Sequence, residues 1–109
     1  MLIPKRFKLM GRTIEVVERA DLIQERNWTG AACYELDKIE LLPSSEFYKL
    51  SPAKQEQTFC HELAHWLLYS AGGAINYNMK DNEYIHKNEE FVDLLGSLLH
   101  QFFNTVEVE

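Results

Sequence analysis

The hydrophobic period changes once along this chain, and that change limits the folds open to it. Up to Leu42 the apolar residues alternate or cluster as β-branched runs. From Pro52 onward they recur at about 3.6 residues, the helical period. In the first half, Thr13-Ile14-Glu15-Val16-Val17 follows Gly11 and reads as a strand after a turn. Gly30–Leu36 and Lys38–Leu42 read as two further strands joined at Asp37-Lys38, with Ile39 and Leu41 alternating against Lys38 and Glu40. A short helix is expected over Glu18–Arg26, anchored by Leu22 and Ile23.

In the second half, Ser51-Pro52 supplies an N-cap and a first-position proline. The helix then runs without a breaker to Ser70, and Gly72-Gly73 stop it. Its stripe of Phe59, Leu63 and Trp66, widened by Cys60, Ala64, Leu67 and Leu68, is that of a largely covered helix. Residues 74–87 lack periodicity and read as a loop. A last helix is expected from Asn88 to Asn104, with Phe91, Leu94, Leu95, Leu98 and Phe102 facing inward. Gly96 inside it implies a close helix–helix approach. The fold class is therefore α+β: a small antiparallel or mixed sheet of about three strands packed on two helices.

At 109 residues the chain is expected to form one domain over 1–109. A net charge of −6 argues against nucleic acid as the main partner. Residues 1–14 nevertheless hold Lys5, Arg6, Lys8 and Arg12 with no acid, which reads as a solvated basic first strand. No apolar run reaches the ~18 residues of a spanning helix, and no signal-peptide stretch opens the sequence, so a cytoplasmic protein without membrane contact is expected. Two cysteines, Cys33 and Cys60, do not make a disulfide framework and read as buried thiols.

His61-Glu62-Leu63-Ala64-His65 is an H-E-x-x-H string in the middle of the best-defined helix. Residues i and i+4 share a face, so both imidazoles reach one ion at ~2.0–2.1 Å, and Glu62 borders that pair. Shuffling this composition gives the string in about 2% of chains, so its position between a cap and a stop is what makes it informative. A catalytic zinc site needs a third protein ligand. Glu89 and Asp93, again i and i+4, supply a ligand and a partner for a ligating histidine, while Glu90 lies one step round toward solvent. Without the upstream motif, the same acids would read as first-turn residues favoured by the helix dipole.

His61-Glu62-x-x-His65 followed by Asn88-Glu89-x-x-x-Asp93 resembles the gluzincin, thermolysin-like metallopeptidases. The stretch Asn88–Leu98 is similar to their glutamate helix almost position by position, internal glycine included. The resemblance covers about residues 52–104. It implies that His61, His65 and Glu89 bind Zn2+, that Asp93 supports the first histidine, and that the two helices are an active-site helix and a glutamate helix. The long family members have a second subdomain that supplies a transition-state His or Tyr. This sequence has no counterpart and looks instead like the minimal single-domain gluzincins and small H-E-x-x-H proteins of phages.

The expected activity is hydrolysis of a peptide or protein substrate through a zinc-bound water, with Glu62 as general base. Lys38–Leu42 is expected to be the edge strand that aligns substrate. Tyr69, Tyr77, Tyr84, His86 and His100 are the available donors to the oxyanion. Asn104–Glu109 reads either as a frayed acidic terminus or as a strand that lies on the sheet edge and keeps the enzyme latent. The competing expectation is a zinc-binding interaction or regulatory module without turnover. A monomer is expected in either case.

Overall fold

A computed structural model describes residues 1–23, 29–72, 76 and 78–108. Four strands form one mixed sheet: β1 (Arg6–Leu9), β2 (Arg12–Glu18), β3 (Gly30–Cys33) and β4 (Lys38–Leu41), in the order β1-β2-β4-β3. Two long helices follow, α1 (Pro52–Ser70) and α2 (Glu89–Thr105). The α+β class is as read from the periodicity, with one strand more than expected. The extra strand is β1, paired antiparallel to β2 through a two-residue turn at Met10-Gly11. Both turn residues have positive φ (51° and 79°), as the tight hairpin turns that match strand twist require.

The remaining ladders fix which strand is exposed. β2 and β4 are parallel, with Val16 opposite Ile39, and β3 is antiparallel to β4, with Ala32 opposite Ile39. β4 is therefore an inner strand, and the expectation that Lys38–Leu42 forms the edge is corrected. Alternation along Lys38-Ile39-Glu40-Leu41 reports one buried face, and it carries no information about neighbours on either side. The edge on that side is β3. It stops at Cys33, short of the expected Leu36, because Tyr34–Leu36 wind into a 3-10 turn and Asp37 takes a left-handed conformation, φ 53°. Arg12 secures that corner, bonding the Asp37 carboxylate and the Tyr34 carbonyl.

α1 lies on the face of the sheet that carries Ile14, Ile39 and Leu41, burying Phe59, Cys60 and Trp66 there. Ser51 caps it as expected, its hydroxyl accepting from the Lys54 amide at 3.1 Å. Trp66 is fully buried, and its Nε1–H donates to the Lys38 carbonyl at 3.0 Å, pinning helix to sheet. The helix ends at Ser70 with Ala71 as its C-cap; Gly73, part of the expected stop, lies outside the described residues. Leu22, Ala31 and Leu42 form a second small cluster behind the sheet. Of the helix expected over Glu18–Arg26, Glu18 closes β2, Leu22 and Ile23 are helical, and 24–28 lie outside the described residues.

α2 packs on α1 through Val92, Gly96 and the half-buried Leu95 and Leu99. A Cβ on Gly96 would stand 3.0 Å from the His61 Cα, so the glycine is the close approach that the sequence implied. The expected inward face is corrected. Phe91, Leu94, Leu98 and Phe102 are exposed, and only Leu95 of that set is partly covered. Two 3-10 turns, Asp81–Glu83 and Ile85–Lys87, organise the part of the 74–87 segment that is described. Asn104 and Thr105 belong to α2, while Val106 and Val108 are exposed and lie in no strand, so 104–108 does not cover the sheet edge.

Candidate metal centre

The spacing in α1 places His61 and His65 on one face, with their rings 4.9 Å apart. α2 starts directly opposite. Its N-cap, Asn88, accepts from the Phe91 amide at 3.1 Å, which sets Glu89 in the first turn. The Gly96–His61 contact then brings the two helices close enough for the three side chains to meet. Glu89 Oε2 lies 3.3 Å from His61 Nε2, and Glu89 Oε1 lies 3.2 Å from His65 Nε2. One donor atom from each of the three falls within 4.8 Å of the others.

The far sides of the two imidazoles are also engaged. His61 Nδ1 lies 2.9 Å from Asp93 Oδ1, and His65 Nδ1 lies 2.7 Å from the His86 carbonyl. A carbonyl only accepts, so His65 carries its hydrogen on Nδ1 and turns the Nε2 lone pair toward Glu89. The Asp93 carboxylate selects the same tautomer in His61. Burial lowers the proton affinity of His65, which keeps it neutral. Two imidazole Nε2 atoms and a carboxylate thus converge, a donor set that fits a cation. Each imidazole Nε2 faces a different oxygen of Glu89, so the carboxylate spans the two rings.

The segment before α2 carries the His86 carbonyl and is tied down independently. The Ile85 amide donates to the Asn76 side chain at 2.9 Å, and Lys87 Nζ pairs with Asp81 at 2.6 Å. The His86 ring itself is buried, packed edge-on against Tyr34 and Tyr69, and its Nδ1 has no hydrogen-bond partner among the described residues.

Glu62 points between α1 and β3. It is only 5% exposed and has no hydrogen-bond partner among the described residues. Burial, with a smaller contribution from Glu89, raises its pKa from 4.5 to about 8. Gly30 of β3 makes room for it: a Cβ there would meet Thr58 at 2.6 Å and the Glu62 side chain at 3.2 Å. Gly30 is therefore what lets the edge strand lie against the H-E-x-x-H helix.

A cleft of about 1140 Å³ opens over these groups, bordered by β3, α1 and α2. His61, Glu62, His65, Glu89 and Asp93 all line it, as the sequence placed them, and Glu90 does not. Of the expected oxyanion donors, His86 and His100 line the cleft, with His100 held by Glu56 at 3.2 Å. Tyr69 and Tyr84 do not: the Tyr69 ring stacks under Tyr34 at 4.2 Å, and Tyr84 lies beside Lys87. Tyr77 lies outside the described residues.

Among the cleft residues that the sequence did not mark, one aromatic stands out. Tyr34 enters from the turn after β3, its ring clamped by Trp66, Tyr69 and His86. Burial and the carboxylates Glu62 and Glu89 hold its hydroxyl in the protonated form. Nothing in its local sequence marks it, because its place depends on the β3–β4 corner. Comparison of the chain with protein-family models, with curated proteins and with solved structures finds no match, so the site rests on its own geometry. Among the described residues, no helix is long and apolar enough to cross a membrane.

Proposed function

We propose that the chain is a zinc-dependent metalloendopeptidase that hydrolyses peptide bonds, with Glu62 as general base. The observation that carries this reading is how the histidines are held. Asp93 and the His86 carbonyl occupy both Nδ1 atoms, leaving both Nε2 atoms and the Glu89 carboxylate directed at one point, with the Glu62 carboxyl lining the same cleft. His61, His65 and Glu89 would hold the ion, and the open cleft leaves space for water and substrate. Bound there, zinc would polarise a carbonyl and lower the pKa of its water toward ~7.

The protein's own groups divide the remaining work. Glu62 accepts the proton of the attacking water at its carboxylate and hands it to the leaving amine; burial and its raised proton affinity suit it to both transfers. The unpaired backbone edge of β3 extends the substrate by strand addition. The Tyr34 hydroxyl donates to the carbonyl oxygen from a ring whose packing fixes its direction.

The test combines metal analysis with cleavage of a panel of denatured proteins. The full chain is expected to hold one zinc and to cleave, and Glu62→Gln to keep the zinc and lose the cleavage. His61→Ala, His65→Ala and Glu89→Ala should each lower zinc affinity sharply, and Glu90→Ala should leave it unchanged. Zinc retained without cleavage by the wild type would turn the reading toward a zinc-binding interaction or regulatory module. A chain that takes up no zinc would sink both.

A further inference from the structure

The outer face of α2 is apolar and uncovered. Phe91, Leu94, Leu98 and Phe102 are 45%, 58%, 53% and 57% exposed. At ~100° per residue they fall on one line, about half a turn away from Glu89, Asp93 and Gly96. The 3-4-4 spacing is that of a helix–helix seam, and from Phe91 to Phe102 it runs about 16 Å. Roughly 400 Å² of apolar side chain is left in water, an area at which patches are commonly functional.

We infer that this seam is the interface of a two-fold dimer in which two copies of α2 pack antiparallel. Three observations select a second copy as the occupant. The pattern Phe-Leu-Leu-Phe is palindromic. A two-fold axis near Gly96-Ser97 sets Phe91 against the other copy's Phe102 and Leu94 against its Leu98, the self-complementarity an isologous interface requires. Charge selects the direction. Glu89, Glu90 and Asp93 lie in the first half of α2, and from Leu94 to Val106 there is no Asp, Glu, Lys or Arg. Glu89 and Asp93 face away from the seam, Glu90 alone flanks it, and antiparallel packing sets Glu90 beside the uncharged Gln101 and Thr105 of the other copy. The area fits a modest interface: the seam, flanked by the exposed Glu90, Gln101 and Thr105, is roughly 400 Å² per copy and so lies at the low end of specific interfaces, that of a concentration-dependent dimer.

This interface replaces the monomer expected from sequence. It leaves the metal centre open, because the ligands face the other way. It does not rest on the peptidase reading.

Sedimentation velocity of the full chain under reducing conditions, up to about 200 µM, tests it. The expected species has twice the chain mass of 12.8 kDa. Leu98→Glu should return it to the chain mass with unchanged circular dichroism. Leu94→Gln with Leu98→Gln serves the same purpose should the glutamate disturb folding. Phe91→Glu combined with Phe102→Lys should dimerise at least ~10-fold more tightly than Phe91→Lys combined with Phe102→Lys, since the antiparallel register faces position 91 with position 102. A wild-type chain that stays at 12.8 kDa overturns the inference, whether or not it co-sediments with phosphatidylcholine–phosphatidylglycerol vesicles. So does a dimer that Leu98→Glu leaves intact, or one in which the two charge pairs behave alike.

Discussion

The two long helices contribute to one candidate metal centre but are held in the fold in opposite ways. α1 is enclosed, with the sheet against Phe59, Cys60 and Trp66 and α2 against Ala64 and Leu68. Its functional groups, His61, Glu62 and His65, sit on an element that cannot shift without opening the core. α2 touches the rest of the protein along a narrow strip of Val92, Leu95, Gly96 and Leu99, and leaves its larger side chains outside. The proposed third ligand, Glu89, therefore rides on the less anchored helix. Position there depends on one backbone contact, Gly96 on His61, and on polar bonds such as Asp93 to His61. The difference separates two ways of building a site: core packing sets the pair of histidines, and close approach with hydrogen bonding sets the carboxylate against them.

The sharpest way to break this contrast is truncation on each helix. Phe59→Ala should cost about 3–5 kcal/mol in denaturant unfolding, since it removes a fully enclosed ring. Leu94→Ala, measured where the chain is monomeric, should stay within about 0.5 kcal/mol. Comparable losses would mean that α2 is as enclosed as α1. Gly96→Ala comes next. Its methyl would meet backbone at 3.0 Å, which cannot rotate away, so the helices must part. Overpacking of this kind costs about 1–3 kcal/mol, and zinc affinity should fall with it although no ligand is touched. A variant with native stability and native affinity would remove the close approach from the account.

What the sequence revealed divides along the same line. The H-E-x-x-H helix, its cap, its covered stripe and the glutamate helix with Gly96 were legible because each is a local pattern with a fixed period or a fixed terminus. The edge strand was misplaced because alternation in Lys38–Leu41 records burial of one face, whereas the neighbour of β4 depends on a parallel pairing with β2 that is set at a distance. Tyr34 was missed for the same reason. The stripe on α2 was read as a face that needs burial, but which of two apolar faces meets α1 is decided by Gly96, and the smaller face won. The losing face holds the bulkier side chains, Phe91 and Phe102 among them, so periodicity alone points the wrong way.

Asp93 offers a finer probe. It holds His61 from behind without ligating, at 2.9 Å. Asp93→Ala should weaken zinc by ~10–100-fold without abolishing it. A loss as complete as that of Glu89→Ala would make Asp93 a ligand, and no loss would show that packing on α1 alone orients the ring. Competition against a chromophoric chelator distinguishes the three.

The effect that depends on pH concerns Glu62 and the cost of enclosing it. In the chelated protein its pKa stands at about 8 when folded, against 4.5 as the ordinary value. Between those limits the folded chain holds a proton that the unfolded chain has released. Stability contributed by the neutral carboxyl is thus fully present below pH 4.5 and declines as pH rises toward 8. Glu62→Gln cannot ionise and escapes that decline. The metal-free variant should exceed the metal-free wild type by on the order of 3 kcal/mol at pH 7, and the two should converge near pH 4. Other groups titrate in both proteins and cancel in the difference. Parallel stability curves from pH 5 to 8 would mean that water enters the cleft far enough to solvate the carboxylate. That would place Glu62 on the open side of the contrast, with α2, rather than inside the core with the rest of α1.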